Sequence, residues 1–258
     1  VISTEARFTA YPFVLLSELR EAANEHGYRI GPEEAGGWIF FRSASAPGEI
    51  GLAAASISGP FFLSVMHPGV ARALDARTAS PCAKGHVGAF IFATRENLHA
   101  GVQAVYRLSI SLPNFPLERY EKAVTGIGET EGERIQKFRI GQNIFRNALM
   151  EYWNGTCPLS GISSRDLLRA SHMMPWSDCA TDAQRLDVYN GLLLSALWDA
   201  AFDAGLVTFD DDGMALTSAL LEGAAHEALA VNSARRLVLS DEHRPYLAYH
   251  RSHVWTPG

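Results

Sequence analysis

An α+β chain is what the sequence predicts, with a mixed N-terminal domain and a C-terminal domain that carries the chemistry. Three observations point that way. Short apolar runs between Gly/Pro turns fill the first half and read as a β-meander between helical stretches. A Gly- and Glu-rich stretch, TGIGETEGER (125–134), interrupts the pattern. Beyond it, a single histidine, an Asn-Gly and two aspartates spaced by four follow one another within a short span.

The 258 residues suffice for one large domain or two ordinary ones. With 47% hydrophobic and 19% charged residues, a sizeable core is expected and wholesale disorder is not. No apolar run approaches the roughly 20 residues of a membrane-spanning helix, so no membrane partner is expected. The first residues, Val1 to Arg7, lack the basic-then-apolar layout of a signal peptide. Three irregularly spaced cysteines, Cys82, Cys157 and Cys179, speak against a disulfide framework or a four-cysteine zinc site, and fit a reducing cytoplasm. A net charge of −6 excludes a protein that coats nucleic acid, but local basic patches still permit phosphate contact.

In order, residues 13–26 have helical spacing and end at Gly27. Segments starting at Trp38, Ile50 and Phe61 read as strands joined by turns at Pro47-Gly48 and Gly59-Pro60. A short helix is expected over 69–76, a strand over 88–94, a helix over 96–99, a strand over 105–112 and a helix over 117–124. Residues 1–125 are taken as a recognition domain, 126–144 as a linker with the start of a basic helix, and 145–258 as the second domain. His67, His86 and His99 have no partner at metal-ligand spacing. Trp38, Phe40, Phe61 and Phe62 are candidates for an aromatic pocket that takes a nucleobase.

Arg134, Lys137, Arg139 and Arg146 make the stretch after the linker locally basic, and with Arg169 they are candidate phosphate contacts on double-stranded DNA. The turn Gly155-Thr-Cys-Pro-Leu-Ser-Gly161 lacks the second cysteine of a zinc knuckle, so no structural zinc is expected. Residues 167–174, LLRASHMM, read as a strand that carries His172, and Pro175 ends it. Asn190-Gly191 reads as a turn and LLLSALWDAAFDAG (192–205) as a helix with Asp199 and Asp203 on one face. Residues 208–218 read as a hairpin turned at Asp212-Gly213, and 243–253 as a helix.

This order of groups suits phosphodiester hydrolysis. A neutral imidazole takes a proton from water near pH 7, two carboxylates hold a hard divalent ion, and an asparagine amide ties two backbone segments together. The motifs Ala-Ser-His172-x-x-Pro-Trp, Asn190-Gly-Leu-Leu-Leu and Asp199-x-x-Phe-Asp203-x-Gly resemble HNH endonucleases of the ββα-metal fold over about residues 145–255. The resemblance implies His172 as general base, Asn190 as the residue that steadies its loop, and Asp199 and Asp203 as metal ligands. Ser171, standing where many members carry a further ligand, is a third candidate metal residue. One divalent ion is implied, Mg²⁺ or Mn²⁺ first, Ni²⁺ or Zn²⁺ as alternatives. The two-domain layout is similar to restriction nucleases, including modification-dependent (McrA-like) ones. Cutting two strands with one site per chain would call for a homodimer.

Overall fold

The computed structural model describes residues 11–76 and 81–258, so the N-terminal stretch read for a signal peptide lies outside the described residues. The chain forms two compact units, Val1–Ile110 and Ser111–Gly258. Among the described residues, no helix is long and apolar enough to cross a membrane.

In the first unit, α1 (Phe13–Glu25) precedes a five-stranded antiparallel meander: β1 (Ile30–Ala35), β2 (Trp38–Arg42), β3 (Glu49–Ala54), β4 (Phe61–Val65) and β5 (Gly88–Phe92). The helix α2 (Pro68–Ala73) lies between β4 and β5, and α3 (Arg95–Ser109) closes the unit. Strand β1 is not apparent in the sequence, because Pro32 and Gly36-Gly37 suggest only turns. It is an edge strand whose register slips between Ile30 and Glu33, which is where a proline is tolerated.

Both faces of the sheet are covered. Ile39, Phe41, Ile50, Leu52, Phe61 and Leu63 are buried on the face toward α1 and α3. Trp38, Ala53 and Phe62 form a cluster with Ala83 on the other, with Phe40 and Tyr11 packed against it. The expected aromatic pocket is therefore not formed. Trp38, Phe61 and Phe62 are core residues, and strand alternation puts Phe61 on the opposite face from the other three.

The strand expected over 105–112 is instead the end of α3. Leu98, Val102, Val105 and Leu108 are buried at helical spacing along one continuous helix, starting from the Thr94 cap.

The second unit opens with α4 (Phe115–Val124), assigned from sequence to the N-terminal domain but packed here on α5 (Glu131–Tyr152). The linker is shorter than expected. Thr130 and Glu133 form a reciprocal capping box, so α5 begins at Glu131. Then come β6 (Leu168–His172), the one-turn α6 (Asp182–Arg185), β7 (Gly191–Ser195) and α7 (Ala196–Asp203).

Strands β6 and β7 pair antiparallel, with His172 opposite Gly191, and α7 packs on both. Leu192, Leu193 and Leu194 belong to this strand and not to a helix. All three are fully buried, and such a continuous apolar run has no period that separates strand from helix. Gly191 is demanded by packing and not by a turn, since a Cβ there would lie 2.6 Å from the Phe145 ring. The rest comprises the hairpin β8 (Val207–Phe209) and β9 (Ala215–Thr217), α8 (Gly223–Leu229) and α9 (Arg244–His253).

Candidate active site

His172 ends β6, and three neighbours fix its ring. Phe145 of α5 stacks on it at 3.8 Å between centroids and 15° between planes, and Trp176 meets it edge-on at 5.7 Å. Its Nε2 lies 2.9 Å from the Arg185 carbonyl oxygen. A carbonyl only accepts, so Nε2 carries the proton and Nδ1 keeps its lone pair. Burial pushes the His172 pKa down to about 4, and the imidazole is neutral at pH 7.

Arg185 is itself tethered. Its guanidinium donates to the carbonyls of Trp176 and Cys179 and pairs with Asp182. Neither Phe145 nor Arg185 stood out in the sequence as part of the site. The capping signal at Thr181, which starts α6, was the available hint for the second.

Asn190 is fully buried and bonds across the loop between the two strands. Its Oδ1 accepts from Met174 N at 2.8 Å, and its Nδ2 faces the carbonyls of Met174 and Gln184, each at 3.2 Å. The loop that carries the Arg185 carbonyl is thus tied to the end of β6.

Asp199 and Asp203 sit one turn apart on α7. Ser171, buried on β6, donates its hydroxyl proton to Asp199 Oδ1. Packing and, second, the neighbouring Asp199 charge raise the Asp203 pKa to about 6, although the residue is exposed as a whole. Asp203, whose ionisation the Asp199 charge opposes, and Asp199 one turn away are a pair of hard oxygen donors that fits a divalent ion. His172, Asp203, Gln142, Trp176 and His250 line one cleft of about 400 Å³.

On the C-terminal helix, the histidine that lines this cleft is held on both sides of its ring. Both His250 nitrogens are engaged, Nδ1 with Thr208 Oγ1 at 2.9 Å and Nε2 with the Phe202 carbonyl at 3.1 Å. The Arg251 guanidinium binds the Phe209 carbonyl and Asp211. Cys157 is buried, and its turn is closed by backbone bonds from Cys157 N to Ile162 O and from Gly161 N to Cys157 O.

Residues 157–210 match the HNH endonuclease family HNH_2. The matched segment runs from the Cys157 turn through β6, β7, α7 and β8, and it includes His172, Asn190, Asp199 and Asp203. No curated protein matches the chain.

The basic residues divide into two kinds. Arg146 donates to the carbonyls of Leu168 and Arg165 at 2.8 and 2.9 Å, so it braces β6 instead of presenting its charge. Lys137 pairs with Glu129. Arg169 donates to the carbonyls of Asp166 and Leu168 from an exposed position. Arg134 and Arg139 are exposed on α5.

Substituting Arg146 with alanine is therefore expected to lower stability by about 1–3 kcal/mol, through two carbonyls left without their charged donor. Arg139→Ala should leave the melting temperature in place and reduce the slope of log K against log salt for DNA binding by about 1. Melting curves and salt-titrated binding measure the two effects separately.

Two further histidines are held neutral by burial. His243 and His250 are buried, and burial lowers both to about 4 from the ordinary 6.5. The unfolded chain takes up these protons near 6.5, whereas the folded one resists until about 4. Stability from these groups is complete above pH 6.5 and is lost as the pH falls toward 4. Asp203 acts in the opposite sense between its ordinary 3.8 and about 6, and offsets part of the slope. The urea midpoint is expected to fall steadily from pH 6.5 to 4.5, and His243→Gln should flatten that slope by about one proton's worth. A midpoint independent of pH over this range would contradict the assignment.

Proposed function

We propose that the protein is a divalent-metal-dependent DNA endonuclease whose second unit cuts the phosphodiester backbone. The observation that carries this reading is the convergence of a neutral, tautomer-locked His172 and the Asp199/Asp203 pair on the HNH segment, with His172 and Asp203 lining one cleft. In this reading His172 Nδ1 accepts a proton from the attacking water, and the Arg185 carbonyl stabilises the imidazolium that results. Asp199 and Asp203 hold the ion, which when bound supplies charge neutralisation at the scissile phosphate. Mg²⁺ or Mn²⁺ suits two hard carboxylates completed by water and phosphate oxygens. Ser171 orients Asp199 through its hydroxyl and is not itself a ligand. Exposed Arg134, Arg139 and Arg169 contact phosphates.

The first unit is the DNA-recognition part of a restriction-type enzyme in this proposal, acting from its surface, since Trp38, Phe61 and Phe62 are packed inside. Supercoiled plasmid incubated with Mg²⁺ or Mn²⁺ is expected to be nicked by the wild-type protein and spared when EDTA is added or when Asp199 and Asp203 are both changed to asparagine. Binding without nicking under every metal would make the chain a DNA-binding module instead. A panel of unmodified, methylated, hydroxymethylated and phosphorothioated duplexes tests the restriction role, and equal cleavage of all four would remove modification dependence.

A further inference from the structure

The sequence shows His99 without a partner, but folding of the first unit supplies two. Helix α1 ends at Glu25 with His26 as its C-cap, and α3 presents His99 on its second turn. His26 Nε2 lies 3.3 Å from His99 Nδ1, and Glu25 Oε2 lies 3.2 Å from the same nitrogen. One ligand atom from each of Glu25, His26 and His99 falls within 4.8 Å of the other two. Bonds of about 2.0–2.1 Å to a tetrahedral ion place neighbouring ligand atoms about 3.3–3.4 Å apart, so the two short separations already match edges of such a tetrahedron.

The mount is rigid. Gly27 follows at φ +90, and a Cβ there would lie 2.5 Å from the Tyr106 ring of α3. Buried Tyr28 meets Tyr106 edge-on at 5.9 Å. The end of α1 is thereby locked onto α3, and the ligand atoms are brought together by packing that does not depend on any ion. His26, His99 and Glu96 also line a cleft of about 510 Å³. Arg95, on its rim, is paired with Glu18 at 2.6 Å.

We propose that Glu25, His26 and His99 form a site for a borderline divalent cation of the Zn²⁺ class. Its fourth position faces the cleft and is open to water or to an anionic ligand. Two imidazoles and one carboxylate favour Zn²⁺, Co²⁺ or Ni²⁺ over Mg²⁺ or Ca²⁺, which take oxygen ligands. The site is separate in residues and in ion preference from the carboxylate pair on α7, and it does not depend on the nuclease reading.

The test uses the full, tag-free chain carrying Asp199→Asn and Asp203→Asn, which removes the carboxylate pair. Titration with Co²⁺ alone is expected to give one equivalent bound, with the intense visible bands of a tetrahedral ion. Adding His99→Gln should weaken binding by about 100-fold or more, and Glu25→Gln, at an exposed position, by at least about 10-fold. Both variants should keep the metal-free melting temperature. No uptake of Co²⁺ by the double-asparagine chain, or uptake unchanged by His99→Gln, would overturn the proposal and leave the cluster a hydrogen-bonded histidine pair.

Discussion

Replacing His172 with alanine is expected to lower the single-turnover rate of DNA nicking by about 10²–10⁴-fold while DNA affinity stays within a few-fold. The direction of the ring decides which nitrogen can act. Because Nε2 donates to the Arg185 carbonyl at 2.9 Å, only Nδ1 has a lone pair to offer. The pKa of about 4 means that this lone pair is free throughout the neutral range, so His172 imposes no acid limb near pH 7. Asp203, raised to about 6, must lose its proton to hold an ion, and the loss of activity below about pH 6 should follow metal affinity. Raising the metal concentration should then shift that limb to lower pH, which a base-limited profile would not do. Alanine also vacates the ring's place against Phe145 and Trp176, beside the cleft. Added imidazole is expected to restore part of the rate to His172→Ala and none to the Asp199→Asn, Asp203→Asn double variant. An alanine variant that cuts as fast as wild type would remove His172 from the chemistry.

What the sequence made legible about this site follows from how local each signal is. His172, Asn190, Asp199 and Asp203 belong to short motifs whose residue types carry their own chemistry, so they stand out without a structure. Phe145 and the Arg185 carbonyl do not, because one looks like an ordinary helix-core residue and the other is backbone. Their roles exist only once α5 and α6 are packed around β6. The same reason explains Arg146. Its charge suggested phosphate, and only the folded chain shows its guanidinium turned onto two carbonyls.

In the first unit, the meander is visible in its turns, while Pro32 hides the edge strand β1 and the second half of α3 has the composition of a strand. VYRLSISL is rich in β-branched and aromatic residues, and burial of Val105 and Leu108 against the sheet outweighs that propensity. The His26–His99 pair lies beyond any reading of spacing, since 73 residues separate its members.

Asn190 gives the largest expected effect on stability. Asn190→Ala would leave the Met174 N–H and the Met174 and Gln184 carbonyls without the partner they now have at 2.8–3.2 Å, in a fully buried place. With about 1–3 kcal/mol for each group left unsatisfied and partial relaxation of the loop, a loss of roughly 3 kcal/mol is expected. At about 2–4 °C per kcal/mol for a domain of this size, the melting temperature should fall by roughly 6–12 °C. Asn190→Asp should be at least as damaging despite its nearly identical shape. A carboxylate has no proton to give the two carbonyls, and its charge would be buried without a counter-ion.

This comparison separates packing from hydrogen bonding, because a residue that mattered only for volume would tolerate aspartate better than alanine. Kinetically, a loosened 173–185 loop would carry the Arg185 carbonyl away from His172 Nε2. The rate of cutting should therefore drop in Asn190→Asp at a temperature where the variant is still folded, with DNA affinity little changed. Full activity in a folded Asn190→Asp protein would show that the loop, and with it the Arg185 carbonyl against His172 Nε2, holds its place without the amide.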